Sequence, residues 1–320
     1  MPGMTTSRIT TTLVGLAALT LASTSVGVHS DPTSAARAPR AHVTHKTPVR
    51  RPASAEKYAY AWPVKPFREQ HPVRGFFGDP RIANHGESRQ FHFGIDISAP
   101  NGTPVYATLS GVAYIHALHA TTIEIVGADG VEFSYWHVVP TVRPGERVVA
   151  YQTVIGHIEE PYGHVHFSEK RYGRYVNPLR PGALGPYADN TRPLARSVSV
   201  VDGELVVEAY DEAPLAVPRP WHDLPVMPAL IRWRLLDPRN AVVLGWRTAA
   251  DFRLTIPPAS EFDERWAPGT TQNHVRAPGR YRVVLASSLL SLPAGSYVVE
   301  VAASDTRGNA TRPHFHLSVS

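Results

Sequence analysis

No cysteine occurs in the 320 residues. Disulfides are therefore excluded, and so is a lipoprotein anchor, which requires an acylated cysteine. A chain exported without disulfides must be held by its cores alone, which two domains of this size allow. Long apolar runs are missing too. The stretch Leu13 to Leu21 is too short and too rich in Gly and Ala to read as a firm membrane span. With Arg8 before it and small residues after it, residues 1–30 read as a signal peptide, cleaved after Gly27 or Ser30. An uncleaved anchor is the alternative, because a long polar segment follows. After cleavage no stable membrane span is expected.

The net charge of +5 is also absent from most of the chain. Residues 1–57 hold seven basic side chains (Arg8, Arg37, Arg40, Lys46, Arg50, Arg51 and Lys57) against Asp31 and Glu56, so the remainder is balanced. No basic face is concentrated in the folded part, which argues against nucleic acid as a partner. Residues 31–57 are rich in Pro, Ala, Ser, Thr and Arg without hydrophobic periodicity and read as a disordered linker. Its basic residues are candidates for contact with anionic wall polymers or lipid head groups; a merely solvated linker is the plainer reading.

Helical periodicity of useful length is the last absence, and what remains is β. From Tyr60-Ala61-Trp62-Pro63-Val64 onward, short strands alternate with turn signals. Asn101-Gly102 separates Ile97 from Val105. Asp129-Gly130 joins the run 121–126 to the run 131–137, a hairpin signal because both turn residues tolerate positive φ. From about Ser197, strand-like runs at 203–209, 229–235, 241–246, 281–285, 297–303 and 314–319 indicate a sandwich. Trp233 and Trp246 read as core residues of that second module. The expected architecture is mainly β: an antiparallel domain over residues 58–185, then an immunoglobulin-like β-sandwich over 197–320.

Three segments of the first domain carry chemistry. In Phe91-His92-Phe93-Gly94-Ile95-Asp96-Ile97, strand alternation puts His92, Gly94 and Asp96 on one face and the apolar residues on the other. His164 and His166 likewise project together, with Val165 and Phe167 toward the core, and Tyr135 shares a face with His137. A helix would also bring 92 and 96 together, but Gly94 and β-branched Ile95 and Ile97 oppose it. Five metal-capable or proton-transferring groups are thus presented on one polar sheet surface. A catalytic zinc takes three protein ligands at ~2.0–2.2 Å and keeps one position for water. Two imidazoles and a carboxylate leave such a site near +1, and two further imidazoles are at hand for proton transfer.

These segments resemble the lysostaphin-like (LytM-type) zinc metallopeptidase family, whose pattern pairs H-x-x-x-D with a later H-x-H and places Y-x-H between them. The resemblance spans about residues 60–180 and includes Phe77-Gly78, Pro144-Gly145, Ile155-Gly156 and Asn177-Pro178. It implies that His92, Asp96 and His166 bind Zn2+ and that His137 and His164 are catalytic, in an order left open. It further implies a secreted, cell-wall associated endopeptidase acting on peptidoglycan peptides. The chain departs from the family at His157-Ile158-Glu159-Glu160-Pro161-Tyr162, where relatives often carry a glycine-rich loop.

Other readings stay open beside this one. A catalytically silent wall-binding or hydrolase-activating protein could use the same fold, or the C-terminal module could carry a wall-binding function. His85 and His157 are candidates for lining the cleft. Tyr135 is equally a substrate contact or a packing residue. Glu169 is a candidate for orienting a ligand histidine, although a solvated strand end is the simpler expectation. His116 and His119 read as surface residues. His314-Phe315-His316 repeats the H-x-H spacing without a partner H-x-x-x-D and reads as plain strand alternation.

Overall fold

A computed structural model of the chain describes residues 57–82, 89–275, 277–288 and 292–319. The expected signal peptide, nearly all of the linker, and His85 lie outside the described residues. Among those residues no helix is long and apolar enough to cross a membrane.

The first module is built on an eight-stranded antiparallel sheet. Its order runs Val73–Gly75, Ile95–Ser98, His164–Arg171, Val131–Trp136, Thr122–Val126, Gly111–Ile115 and Arg147–Val148, with Arg174–Val176 beside His164–Arg171. A smaller sheet of Pro104–Tyr106, Val154–Ile158 and Val138–Pro140 accompanies it. One face of the large sheet supplies the core, where Ile95, Ile97, Ile123, Ile125, Tyr135 and Phe167 are fully buried with Trp62. The Asp129-Gly130 turn forms as expected, with Gly130 at φ 67° and Thr122–Val126 paired to Val131–Trp136.

Register fixes what meets what. His166 pairs with Asp96 on one side and with Trp136 on the other, while His164 pairs with Ser98. A slip of one residue would turn both imidazoles into the core.

The continuous strand expected across 91–97 is not formed. Arg89–Phe91 ends one strand and Ile95–Ser98 begins another, so His92, Phe93 and Gly94 form a connection between them. The reason lies at Gly94. A Cβ there would stand 2.5 Å from the Phe167 carbonyl oxygen and 2.6 Å from Ser168 Oγ, so the backbone passes directly over the neighbouring strand. Phe93 consequently leaves the core and packs at the surface against Trp136, His166 and Tyr175.

The second module contains a three-stranded sheet (Leu194–Val201, Glu204–Tyr210, Arg282–Ala286) and a five-stranded one. The latter runs Val242–Asp251, Leu230–Leu236, Gly295–Ser304 and Ala310–Thr311, with His314–Val319 also paired to Gly295–Ser304. The expected antiparallel β character is met, while the immunoglobulin-like sandwich stays an expectation. The first strand begins at Leu194, a few residues before the expected boundary, and a short helix, Phe262–Arg265, interrupts the β pattern. Trp233 is buried, but Trp246 is not core. It lies half-exposed beneath the guanidinium groups of Arg232, Arg234 and Arg312, at 5.4, 5.0 and 5.9 Å.

The two modules meet along a packed seam. Phe91 contacts Phe252 and Phe262 at ring-centroid distances of 5.6 and 5.3 Å. Asn177 donates its side-chain amide to the Phe252 carbonyl and its backbone N–H to that of Leu254. Ile82 N–H donates to Gln272 Oε1, and Arg89 pairs with Asp263.

Candidate metal centre

The pairing of Ile95–Ser98 with His164–Arg171 brings Asp96 against His166, and the bend at Gly94 swings His92 onto the same spot. His92 Nε2 lies 2.7 Å from His166 Nδ1 and 3.1 Å from Asp96 Oδ1. His166 Nδ1 is itself 3.1 Å from Asp96 Oδ1. The outer ring atoms are held: His92 Nδ1 donates to the Phe76 carbonyl at 2.8 Å, and His166 Nε2 is 2.9 Å from Ser168 Oγ. With Nδ1–H committed to a carbonyl, neutral His92 turns the lone pair of Nε2 inward.

The ionisation states suit a cation. Burial, and then the Arg81 guanidinium, push His92 below its ordinary value, and His166 is lowered to about 3 for the same leading reason. Both rings are therefore neutral near pH 7. Burial alone would raise Asp96, but His92, Arg81 and His164 together hold it well below the usual carboxylate range. Two inward lone pairs and a carboxylate oxygen converge without a proton between them, the donor set a divalent N/O-bound metal requires. All three residues are buried, and their donor atoms lie within 4.8 Å of one another. The residues present fit a zinc ion.

Around this centre the structure places groups that no sequence motif announced. Arg81 binds Asp96 Oδ2 at 2.7 Å, leaving Oδ1 to face the imidazoles. Gly75 makes room for that pair, since a Cβ there would fall 2.3 Å from Asp96 Oδ2. Arg74 donates to the Tyr162 carbonyl at 2.9 Å and to His164 Nδ1 at 2.6 Å. His164 Nδ1 also lies 3.0 Å from the Tyr162 carbonyl, and its Nε2 faces Asp96 Oδ1 at 3.4 Å. Tyr162 stacks on His137 with centroids 3.9 Å apart, and His137 stands 4.8 Å from His164. Burial, followed by repulsion from His164, lowers His137 to about 3.

His137 does not reach the site by strand alternation. The strand ends at Trp136, and His137 adopts φ 62°, a left-handed conformation that histidine tolerates better than most residues. Tyr135 therefore does not share its face. Tyr135 is fully buried, with its hydroxyl on Thr108, and is a packing residue. Glu169 orients no histidine and is not solvated. It is fully buried in a cluster with Tyr60, Arg171 and Arg180. His157 lies in Val154–Ile158, paired to Val139 and Pro104, and does not line the metal-site cavity. His116 and His119 sit in a surface turn, their rings against Trp136.

Residues 90–178 match the sequence profile of Peptidase family M23. This region is an M23 domain. It holds all five of the histidine and aspartate residues singled out in the sequence. Several solved structures resemble a part of the chain. A zinc-containing peptidase from Vibrio cholerae is 23% identical, covering 39% of this chain and 40% of its own, with a TM-score of 0.32. The catalytic domain of the prophage-encoded M23 protein EnpA from Enterococcus faecalis is 26% identical over 35% of this chain and 92% of its own, with a TM-score of 0.26. A chain of the SpoIIIAH–SpoIIQ complex is 26% identical over 38% and 97%, with a TM-score of 0.31. No curated protein matches the chain.

The cavity above the M23 centre, about 250 Å³, is not lined by the M23 domain alone. Trp221, Gln272 and Asn273 of the second module close one side. Nothing in their local sequence points to a site. They arrive there through the seam.

Proposed function

We propose that this chain is an exported zinc endopeptidase that hydrolyses peptide bonds of bacterial peptidoglycan. The observation that carries the reading is the convergence of His92 Nε2, Asp96 Oδ1 and His166 Nδ1 beside two further histidines held in defined orientations. Bound by those three atoms, Zn2+ would polarise the scissile carbonyl and lower the pKa of a water molecule toward neutrality. His164 turns Nε2 toward the centre, and with its proton on that atom it would stabilise developing negative charge on the carbonyl oxygen. His137 enters neutral, with a ring lone pair to accept a proton and later return it to the leaving amine. Tyr162 keeps that ring in place by stacking. The peptidoglycan assignment rests on the family, and export rests on the N-terminal sequence.

The test is digestion of intact peptidoglycan by the purified mature protein, with zinc content measured and released fragments identified by mass spectrometry. New peptide termini that disappear on chelation and return with zinc are expected. Absence of zinc from the folded protein would overturn the proposal, and bound zinc without cleavage would leave a non-catalytic relative as the better reading.

A further inference from the structure

Next to the metal-site cavity lies a second one of about 620 Å³. The two share Arg74, Tyr162 and Trp221 in their linings and so adjoin one another. A peptide lying across His137 and His164 has this chamber as its continuation. One wall comes from the M23 domain, including Ser98 and Asn101, and the opposite wall from Pro218 to Trp221 with Val275 of the second module.

The chemistry of these walls is one-sided. Arg74 and Arg219 line the chamber, and among the described residues no carboxylate does. Arg219 is exposed and, among the described residues, makes no ion pair or hydrogen bond. Arg74 is held over the Trp221 ring at 4.3 Å, which fixes its guanidinium between the two cavities. Ser98, itself buried, adds a hydroxyl with no hydrogen-bond partner. Two cations, a hydroxyl donor and an indole face suit an extended peptide that carries a carboxylate beside apolar stem atoms.

We infer that this chamber is a substrate subsite, half of it built by the C-terminal module, that receives a carboxylate-bearing residue of the peptide. This rests on the peptidase reading for the direction in which the peptide runs. Arg219 is the specificity-determining residue, paired with the incoming carboxylate at the outer rim. Trp221 is the wall against which the peptide lies.

The experiment is calorimetric titration of the full-length, metal-chelated protein with two pentapeptides, acetyl-Ala-Ala-Glu-Ala-Ala-amide and its Gln counterpart. The Glu peptide should bind about fivefold more tightly at low salt, the ratio expected of one partly exposed charge-assisted contact. Arg219→Gln should bring the ratio to about one while leaving the affinity for the Gln peptide and the zinc stoichiometry unchanged. Arg219→Glu should invert it. Trp221→Ala should weaken both peptides together. Equal binding of the two peptides by the parent protein, or a preference that survives Arg219→Gln, would overturn the inference. Because the readout is binding without metal, a protein that cleaves nothing would still pass or fail this test on its own terms.

Discussion

Two strands of this chain carry His-x-His, and they meet opposite fates. In His164–Arg171 both imidazoles are buried, because the strand is central in its sheet and its second face is roofed by the neighbouring module. In His314–Val319 both are exposed, on an edge strand whose polar face meets solvent; His314 Nε2 does no more than approach Glu300 at 3.5 Å. The spacing is identical. What differs is that Asp96 is paired directly beside His166, whereas the residue paired with His316 is Val298. Ligand spacing therefore becomes a site only when register supplies the third donor and burial removes competing water.

The sharpest way to break this comparison is to delete one histidine from each strand. His166→Ala should lose retained zinc and with it activity, by about 10³-fold or more, whereas His316→Ala should change neither. His137→Ala should sit between them, keeping its metal but losing about 10²–10⁴-fold in turnover as a proton-transfer group. Metal analysis alongside peptidoglycan digestion separates the three, and equal zinc loss in the 166 and 137 variants would contradict the division of roles.

A smaller effect tests the backbone. Gly94→Ala places a methyl against Phe167 O and Ser168 Oγ, and should cost about 1–3 kcal/mol, as overpacked sites do. Gly245→Ala, on the strand beside Leu230–Leu236, meets nothing within 4 Å and should be neutral or slightly stabilising. Urea unfolding of both variants decides it, and matched midpoints would remove Gly94 from the account of why the strand breaks.

The smallest effect concerns a second cluster of convergent acids, Asp189, Asp211 and Asp305. Burial, with repulsion from the other two, pushes Asp211 up to about 7. A carboxyl raised in the folded state holds a proton that the unfolded chain has released, so its contribution falls as pH rises from about 4 to about 7. Asp211→Asn should therefore gain on the order of 1–2 kcal/mol over the parent at pH 8 and little at pH 4. Parallel stability–pH curves for the two proteins would refute it. The contrast with Asp96 is between an acid held ionised by imidazoles and Arg81 and one that burial and neighbouring carboxylates keep protonated.

Much of this was legible in the chain. Period-two alternation located most strands, Asp129-Gly130 located its hairpin, and the three motif segments named five side chains that the fold brings together. The misses have a common physical cause. His137 and His92 were placed by alternation, but a left-handed residue and a glycine crossing put them where they are, and neither is a periodic signal. Tyr162 sits in the short stretch that departs from the family pattern, so the departure was visible while its use as a clamp on His137 was not. Arg74, Trp221, Gln272 and Asn273 belong to no motif, since their place depends on two modules packing together.

That packing also bears on how the molecule comes apart. Gly78, at φ 93°, leaves space that Phe252 fills; a Cβ there would stand 2.4 Å from the ring. Phe252 and Phe262 enclose Phe91, and the next residue along the backbone is the candidate ligand His92. Packing of this kind predicts that the two modules unfold together instead of as two beads on a string. A version cut between them exposes an aromatic face whose loosening runs one peptide bond into the metal centre. In this protein the C-terminal module cannot be exchanged like a detachable anchor, and swapping it for another amounts to redesigning the floor on which the chemistry stands.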